Sequence, residues 1–240
     1  MTLKVMLATI SFLKCYCSID RETVSAVPDV IGNLRTPSHY KEIVHKLEVE
    51  PDTETFDIKF RSVFNDLRNY HVCNPGLPPC LGHDLFEGVV SRDVALIIKH
   101  FVKNYKYFTY EQLNRLITRF KYLGSDAENK PCELKDNADK IGGHALQNWS
   151  FLRLLPLLVG DRIKDKENPV WIQLLLLREI VDLICAPEIS LDQVAWLKDQ
   201  ITSYLCDWVA LFPDQPVTPK HHFIAHYHGL ILHFGPLIRV

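Results

Sequence analysis

Three polar residues that follow a pair of prolines have side chains that can do chemistry. His83, Asp84 and Glu87 open the apolar run of LPPCLGHDLFEGVV, and their spacings of three and four residues put them near one face of a helix. Metal-dependent nucleases often place such groups at a helix start to hold a catalytic cation. The spacing alone favours another interpretation, in which Asp84 and Glu87 complement the positive end of the helix dipole.

A histidine-rich tail offers a second candidate site. Its histidines are His221, His222, His226, His228 and His233. His222 and His226 are four residues apart, the spacing with which two imidazoles bind one metal ion from a helix. The glutamate of the zinc-protease pattern is missing between them and no third ligand is evident, so the pair is only a minor metal candidate. We expect stacked, hydrogen-bonded histidines at a helix start.

Basic and aromatic residues alternate between positions 99 and 121. The basic residues with a candidate role in nucleic-acid binding are Lys99, Lys103, Lys106, Arg115, Arg119 and Lys121. Within this stretch only Glu111 offsets their charge, and such a segment can hold a phosphate backbone. A solvated pair of helices with its aromatic rings buried also explains the pattern and is the favoured interpretation.

The overall composition is that of an ordinary globular protein. The 240 residues are 47% hydrophobic and 23% charged, and a net charge of −2 makes no case for nucleic acid or an acidic membrane as partner. The seven cysteines are odd in number and scattered, which argues against a disulfide framework and for a reducing compartment. Cys15 and Cys17 are spaced C-x-C with no second pair at finger spacing, so a zinc finger is not expected.

The apolar runs of the sequence do not predict a membrane protein. Runs at 152–160 and 171–186 are interrupted by charges or proline, so we expect no membrane span. The N-terminal run resembles a weak signal peptide, but Lys4 and Lys14 interrupt or border it. We expect an intracellular protein, nuclear or cytoplasmic, rather than a secreted one.

Periodicity and capping residues predict a mainly α fold with at most two or three strands near the N-terminus. Residues 1–76 are expected to be irregular and partly extended, with a strand-like run at 3–12 and a helix at 38–47 capped by Ser38. Residues 77–240 are expected to form a helical domain with a polar linker at about 124–140.

Five longer helices are predicted within the second part. They span 83–104, 110–122, 143–158, 169–185 and 190–211. Thr109, Asn168 and Ser190 are the expected N-caps. The third of these helices is expected to be kinked or split at Pro156, and the tail to start one more helix.

A series of strings resembles one protein family. In chain order they are RTPSHY, SVFNDLRNYHV, GLPPCLGHDLFEGVV, ALQNWSFLRLLPLLVGDRI, PVWIQLLLLREIVDLICAP and PKHHFIAHYHGLILHFGPL. The series resembles transposon-derived proteins related to DDE transposases of the CACTA (En/Spm) kind, over about residues 15–237. No single string is diagnostic; the signal is six strings in the same order.

The resemblance implies DNA strand cleavage and transfer as the family chemistry. In the family, three carboxylates on a ribonuclease-H-like sheet hold two Mg²⁺ ions. The second carboxylate is expected in a D-x-x-H string, where this chain has Cys80 before His83, with Asp84 as a neighbouring stand-in. The first is expected upstream of Cys15 and the third beyond the chain end, so the chain resembles the helical insertion with an incomplete catalytic sheet.

The sequence therefore supports three hypotheses about function. The first is a transposase-like fragment or host-retained transposon remnant without enzyme activity, with no cofactor of its own and no small-molecule substrate, where a complete relative would use Mg²⁺. The second is a helical module that binds nucleic acid, weakly and without sequence preference, or protein. The third is a histidine-rich metal-binding protein.

Overall fold

The computed structural model describes residues 16–19, 23, 31–50, 58 and 61–239. Helices predominate in these ranges, and the sheet is one antiparallel pair, β1 (Cys17–Ser18) and β2 (Asn33–Leu34), in which Cys17 pairs with Leu34. The mainly α fold with few N-terminal strands is therefore confirmed. The strand-like run predicted at 3–12 lies outside the described residues.

The helices follow one another closely from residue 81 onward. The described α-helices are α1 (Pro37–Val49), α2 (Ser91–Lys103), α3 (Tyr110–Arg119), α4 (Ser125–Glu128), α5 (Ala145–Val159), α6 (Pro169–Ile184), α7 (Leu191–Leu211), α8 (Pro219–Ala225) and α9 (Tyr227–Phe234). Two stretches are π-helical, Val72–Gly76 and Leu81–Val90, and the latter is called the π segment below. Short 3₁₀ turns occupy Val63–Asp66, Gly160–Arg162 and Leu237–Arg239. Among the described helices, none has the length and apolar character of a membrane span.

Local hydrogen bonds explain where several helices begin. Thr109 Oγ1 accepts from Gln112 N at 3.1 Å, and Gln112 Oε1 accepts from Thr109 N at 3.1 Å, which confirms the capping box of α3. Ser190 and Asn168 cap α7 and α6 as predicted. These helix starts depend on residues within four positions of one another, which is why the sequence alone predicts them.

Some predicted details of the helices differ from the structure. Thr36, not Ser38, caps α1, because Thr36 Oγ1 accepts from His39 N at 3.2 Å and Pro37 takes the first helical position. The helix predicted at 83–104 is the π segment followed by α2. The third predicted helix is not split, since α5 continues through Pro156. The tail forms two helices, α8 and α9, where one was predicted.

A large apolar core joins most of the helices. It includes fully buried side chains from α2, α6 and α7, such as Ile97, Leu177 and Tyr204. The π segment packs against α2, α5 and α8. Cys17 of β1 belongs to the same core, so the N-terminal strand packs with elements from much later in the chain. A smaller apolar cluster around α1 consists of Tyr40, Ile43, Val44, Ile58 and Val72.

The polar segment predicted as a linker at 124–140 is fastened to the helices beside it. Asn114 of α3 binds the Leu134 backbone twice, donating from Nδ2 to the carbonyl at 2.9 Å and accepting from the N–H at 2.8 Å. Asp126 of α4 pairs with Arg153 of α5. These contacts hold the segment between α3 and α5.

Candidate metal centre and neighbouring polar sites

A buried polar network fixes the first turn of α8. Thr218 N donates to Nδ1 of His221 at 3.0 Å, so Nε2 of His221 carries the proton that it donates to Asp93 Oδ2 at 2.9 Å. Tyr204 donates its hydroxyl to the same oxygen at 2.5 Å. Burial, together with the adjacent Asp93 carboxylate, raises the pKa of Tyr204 well above its ordinary value. The network joins α8 to α2 and α7 and thereby orients the residues that follow.

The rest of α8 brings three potential metal ligands together. Nε2 of His222 lies 3.1 Å from Sγ of Cys17 and 3.1 Å from Nε2 of His226. All three atoms lie within 4.8 Å of one another. The residues are buried, with exposed fractions of 0% for Cys17, 1% for His222 and 4% for His226. A thiol and two imidazoles therefore meet inside the core, although Cys17 and His222 are 205 residues apart in the chain.

Hydrogen bonds do not fully account for this arrangement. The Nε2 atom of an imidazole has one hydrogen-bonding position in the ring plane, either a proton or a lone pair. Nε2 of His222 nevertheless has two polar neighbours at 3.1 Å, one of them another imidazole nitrogen. Its Nδ1 is buried and has no partner among the described residues. A cation between the three ligand atoms would use the lone pairs of all three at once.

Two of the three ligand separations are close to those of a zinc-type site. With Zn–N of about 2.0–2.1 Å and Zn–S of about 2.3 Å, tetrahedral angles place ligand atoms about 3.3–3.6 Å apart. The two observed separations of 3.1 Å are shorter than these values by about 0.2–0.5 Å, so the side chains would move apart on binding a cation. Burial lowers the pKa of His222 to about 4 and that of His226 to about 3. Both rings are therefore neutral at pH 7, which is the form that binds metal.

Sequence reasoning identified two of these ligands and missed the third. The i,i+4 spacing singled out His222 and His226, which lie on α8 and at its end. The two rings are within hydrogen-bond distance as expected, with Nε2 atoms 3.1 Å apart, but they are not stacked, because their planes cross at 89°. Cys17 belongs to a C-x-C pair, but no spacing in the sequence predicts that it contacts the histidines of the tail.

Two of the three candidate site residues of the π segment, Asp84 and Glu87, accept hydrogen bonds at helix N-termini. Asp84 is buried, and its Oδ2 accepts from Cys80 N at 3.3 Å; burial raises the pKa of its carboxyl, against the opposing effect of Lys220. His83 is exposed, with Nε2 4.0 Å from Oε2 of Glu87. Oε1 of Glu87 accepts from the first backbone N–H of α5 at 3.2 Å. The two carboxylates thus face the N-termini of different helices, as expected if they complement helix dipoles.

The basic residues predicted to bind nucleic acid are almost all at the surface. Lys99 is half-buried, and the exposed ones are Lys103, Lys106, Arg115, Arg119 and Lys121. A cleft of about 720 Å³ beside α3 has a mixed lining, whose charged residues are Lys103, Arg115, Arg119, Glu111, Glu133 and Asp136. Arg115 already pairs with Glu111 at 2.9 Å. A phosphate chain in this cleft would meet as many carboxylates as cations.

No family model, curated protein or solved structure matches the chain. The resemblance to CACTA-type transposases rests on the six sequence strings given above.

Proposed function

We propose that the protein binds one zinc-type divalent cation between Cys17, His222 and His226, and that the cation fastens β1 to α8. The observation that carries this proposal is the convergence of one thiol and two imidazoles within 4.8 Å in a buried site. Thiolate and imidazole are donors that zinc prefers, whereas Mg²⁺ and Ca²⁺ prefer oxygen. This is the third of the hypotheses drawn from the sequence, with a cysteine added to the histidine pair.

A fastening role follows from where the ligands lie. They belong to elements far apart in the chain and have almost no exposed surface, so the cation acts on the fold rather than on a substrate from solvent. A ligand that binds only the folded state adds RT ln(1 + [L]/Kd) to its stability, about 4 kcal/mol at a thousand times Kd. Three protein ligands leave one coordination position for water or a further donor.

The test compares metal content and cobalt spectra of the full chain with those of ligand variants. We expect about one zinc per chain after equilibration with Zn²⁺, and a sulfur-to-metal charge-transfer band when Co²⁺ replaces it. Cys17→Ser should abolish the band, and His222→Ala should lower metal affinity by at least about tenfold. Matched controls are Cys206→Ser and His233→Ala, which change an exposed cysteine and an exposed tail histidine.

Two results would overturn the metal proposal. One is a wild-type chain that takes up neither Zn²⁺ nor Co²⁺. The other is a Co²⁺ complex whose charge-transfer band survives in Cys17→Ser, since the thiolate would then come from elsewhere. The wild-type measurement needs no variant, so the proposal remains testable even where a substitution impairs folding.

The resemblance supports a second proposal: the chain is the helical part of a transposase-like protein, retained without strand-transfer activity. The mainly α architecture and the exposed basic side chains of α2 and α3 favour it. Cys80 occupies the position at which the family has its second carboxylate. We expect no nicking of DNA by the purified chain with Mg²⁺ or Mn²⁺. Nicking that disappears in Asp84→Asn would contradict this expectation.

A further inference from the structure

A thiol, an imidazole and a carboxylate lie in a row at the start of the π segment. Sγ of Cys80 lies 3.0 Å from Nδ1 of His83. The other ring nitrogen, Nε2, faces Oε2 of Glu87 at 4.0 Å. The thiol and the imidazole are within hydrogen-bond distance, as in a nucleophile–base pair, whereas the carboxylate lies within ion-pair range only. Cys80 is exposed, so a reagent in solvent can reach its sulfur.

The same geometry argues against a shared cation at this place. Cys80 and Glu87 face opposite nitrogens of the His83 ring, so the thiol and the carboxylate lie on different sides of the imidazole. A metal ion bound by one ring nitrogen would be out of reach of one of the two groups. The row is therefore suited to proton transfer from sulfur to imidazole rather than to metal binding.

Cys80 lies at a helix start that a carboxylate already occupies. It is the N-cap residue of the ten-residue π segment, which continues directly into α2. Its backbone N–H donates to Oδ2 of the buried Asp84 at 3.3 Å. Activation of the sulfur therefore depends on the imidazole of His83, whose Nδ1 lies 3.0 Å away.

Several of the other described cysteines are less suited to exchange with a disulfide in solvent. Burial raises the pKa of Cys73 to about 11 and that of Cys185 to about 12, so neither forms a thiolate at neutral pH. Cys17 is buried and belongs to the candidate metal centre. Cys206 is exposed like Cys80 and provides the natural comparison.

We propose that Cys80 is a reactive thiol that exchanges with low-molecular-mass disulfides, with His83 as its base. His83 accepts the thiol proton, and the Cys80 thiolate attacks one sulfur of R–S–S–R. The S–S bond breaks as the Cys80–S–S–R bond forms, and the released R–S⁻ takes the proton from His83 and leaves as R–SH. The small disulfide is the oxidant, so the step needs no other redox partner.

The test follows glutathione disulfide exchange at single cysteines in the full, zinc-equilibrated chain. Samples taken over time at pH 7 are quenched in acid, and peptide mass spectrometry gives the modified fraction at Cys80 and Cys206. We expect Cys80 to react at least about tenfold faster than Cys206. His83→Ala should slow Cys80 by about tenfold, because the thiol loses the imidazole that accepts its proton.

The experiment includes an internal control and a second variant of the same row. The His83 side chain is 75% exposed, so its replacement should not disturb folding, and the Cys206 rate in the same sample serves as the internal control. Glu87→Gln keeps an acceptor for the α5 N–H and should slow Cys80 less than His83→Ala does. The proposal is overturned if Cys80 reacts no faster than Cys206, or if His83→Ala leaves the rate of Cys80 unchanged.

Discussion

Single buried polar residues in this protein are held by specific partners, and Asp93 is the clearest example. Its carboxylate is fully buried and accepts from Tyr204 and His221, which come from α7 and α8. A buried charge is tolerated only when donors satisfy it, and the donors are in turn left unpaired when it is removed. The buried carboxylate therefore needs these donors, and the same hydrogen bonds also position α8.

We predict unequal costs for two substitutions in this network. Asp93→Ala leaves two buried donors unpaired and should lower the free energy of unfolding by about 3–5 kcal/mol. Tyr204→Phe removes one donor and keeps the ring, so it should cost only about 1–2 kcal/mol. Urea unfolding followed by circular dichroism measures both. Equal costs for the two variants would show that the carboxylate does not depend on this pairing.

The buried thiol of Cys185 lowers the stability of the folded state at alkaline pH. Its pKa rises from 9.0 to about 12 because burial disfavours the thiolate. Below pH 9 the thiol is protonated in both states and contributes no pH dependence. Above pH 9 the unfolded state loses the proton and the folded state keeps it, so stability falls as pH rises from about 9 toward 12.

We predict that the free energy of unfolding falls more steeply with rising pH in the wild type than in a variant without this thiol. Between pH 9 and 10.5 the wild type should lose about 1.6 kcal/mol more unfolding free energy than Cys185→Ala, because the slope rises from about half to nearly all of 1.36 kcal/mol per unit of pH. Urea titrations under reducing conditions at several pH values provide the measurement. Parallel curves for the two proteins would mean that the thiol ionises equally in both states.

At the scale of elements, Gly88 leaves room on the π segment for the Lys220 side chain of α8. A Cβ atom on Gly88 would lie 2.4 Å from Cδ of Lys220 and 3.0 Å from the carbonyl oxygen of His83. Lys220 Nζ donates to that same carbonyl. A side chain at position 88 would first displace the Lys220 side chain and its hydrogen bond to the His83 carbonyl.

The surface formed by α2 and α3 carries the prediction about DNA. We expect dissociation constants of about 10⁻⁴ to 10⁻⁶ M without sequence preference, because the phosphate contacts are few and carboxylates share the cleft. In a salt titration, the triple variant Lys103→Glu, Lys106→Glu, Arg119→Glu should bind more weakly and reduce the salt slope by up to about three units.

A matched control reverses the same amount of charge elsewhere on the surface. The exposed residues for it are Lys41, Lys140 and Lys164, each changed to Glu. This control should keep most of the affinity and slope of the wild type, since overall charge alone acts weakly at physiological salt. If the first triple variant binds DNA as the wild type does, α2 and α3 present only a solvated surface.

At the scale of the whole molecule, the fold brings early and late parts of the chain into one core. Cys17 of β1 contacts His222 of α8, and Asp93 of α2 contacts His221 of the same helix. Each contact closes a loop of more than a hundred residues. It therefore becomes favourable only after the intervening helices have packed. A cation bound by Cys17 and the two histidines would stabilise the last of these closures.

The sequence by itself determined the features that depend on neighbouring residues. The capping box at Thr109, the cap at Ser190 and the apolar faces of the long helices follow from groups within a turn or two of one another. The His222–His226 spacing is of the same kind. Even the Cys80–His83 contact spans only three residues, so a search for i,i+3 pairs of thiol and imidazole would have found it.

Only the tertiary structure shows which polar side chains contact partners from distant parts of the chain. Nothing in the local sequence places Cys17 beside His222, because that contact depends on how helices between them pack. Asp84 is buried because the π segment packs against α8, an element about 135 residues later in the chain, which no local pattern predicts. Local hydrogen bonds and periodicity are encoded within a few residues, whereas convergence in a core depends on the packing of all its elements at once.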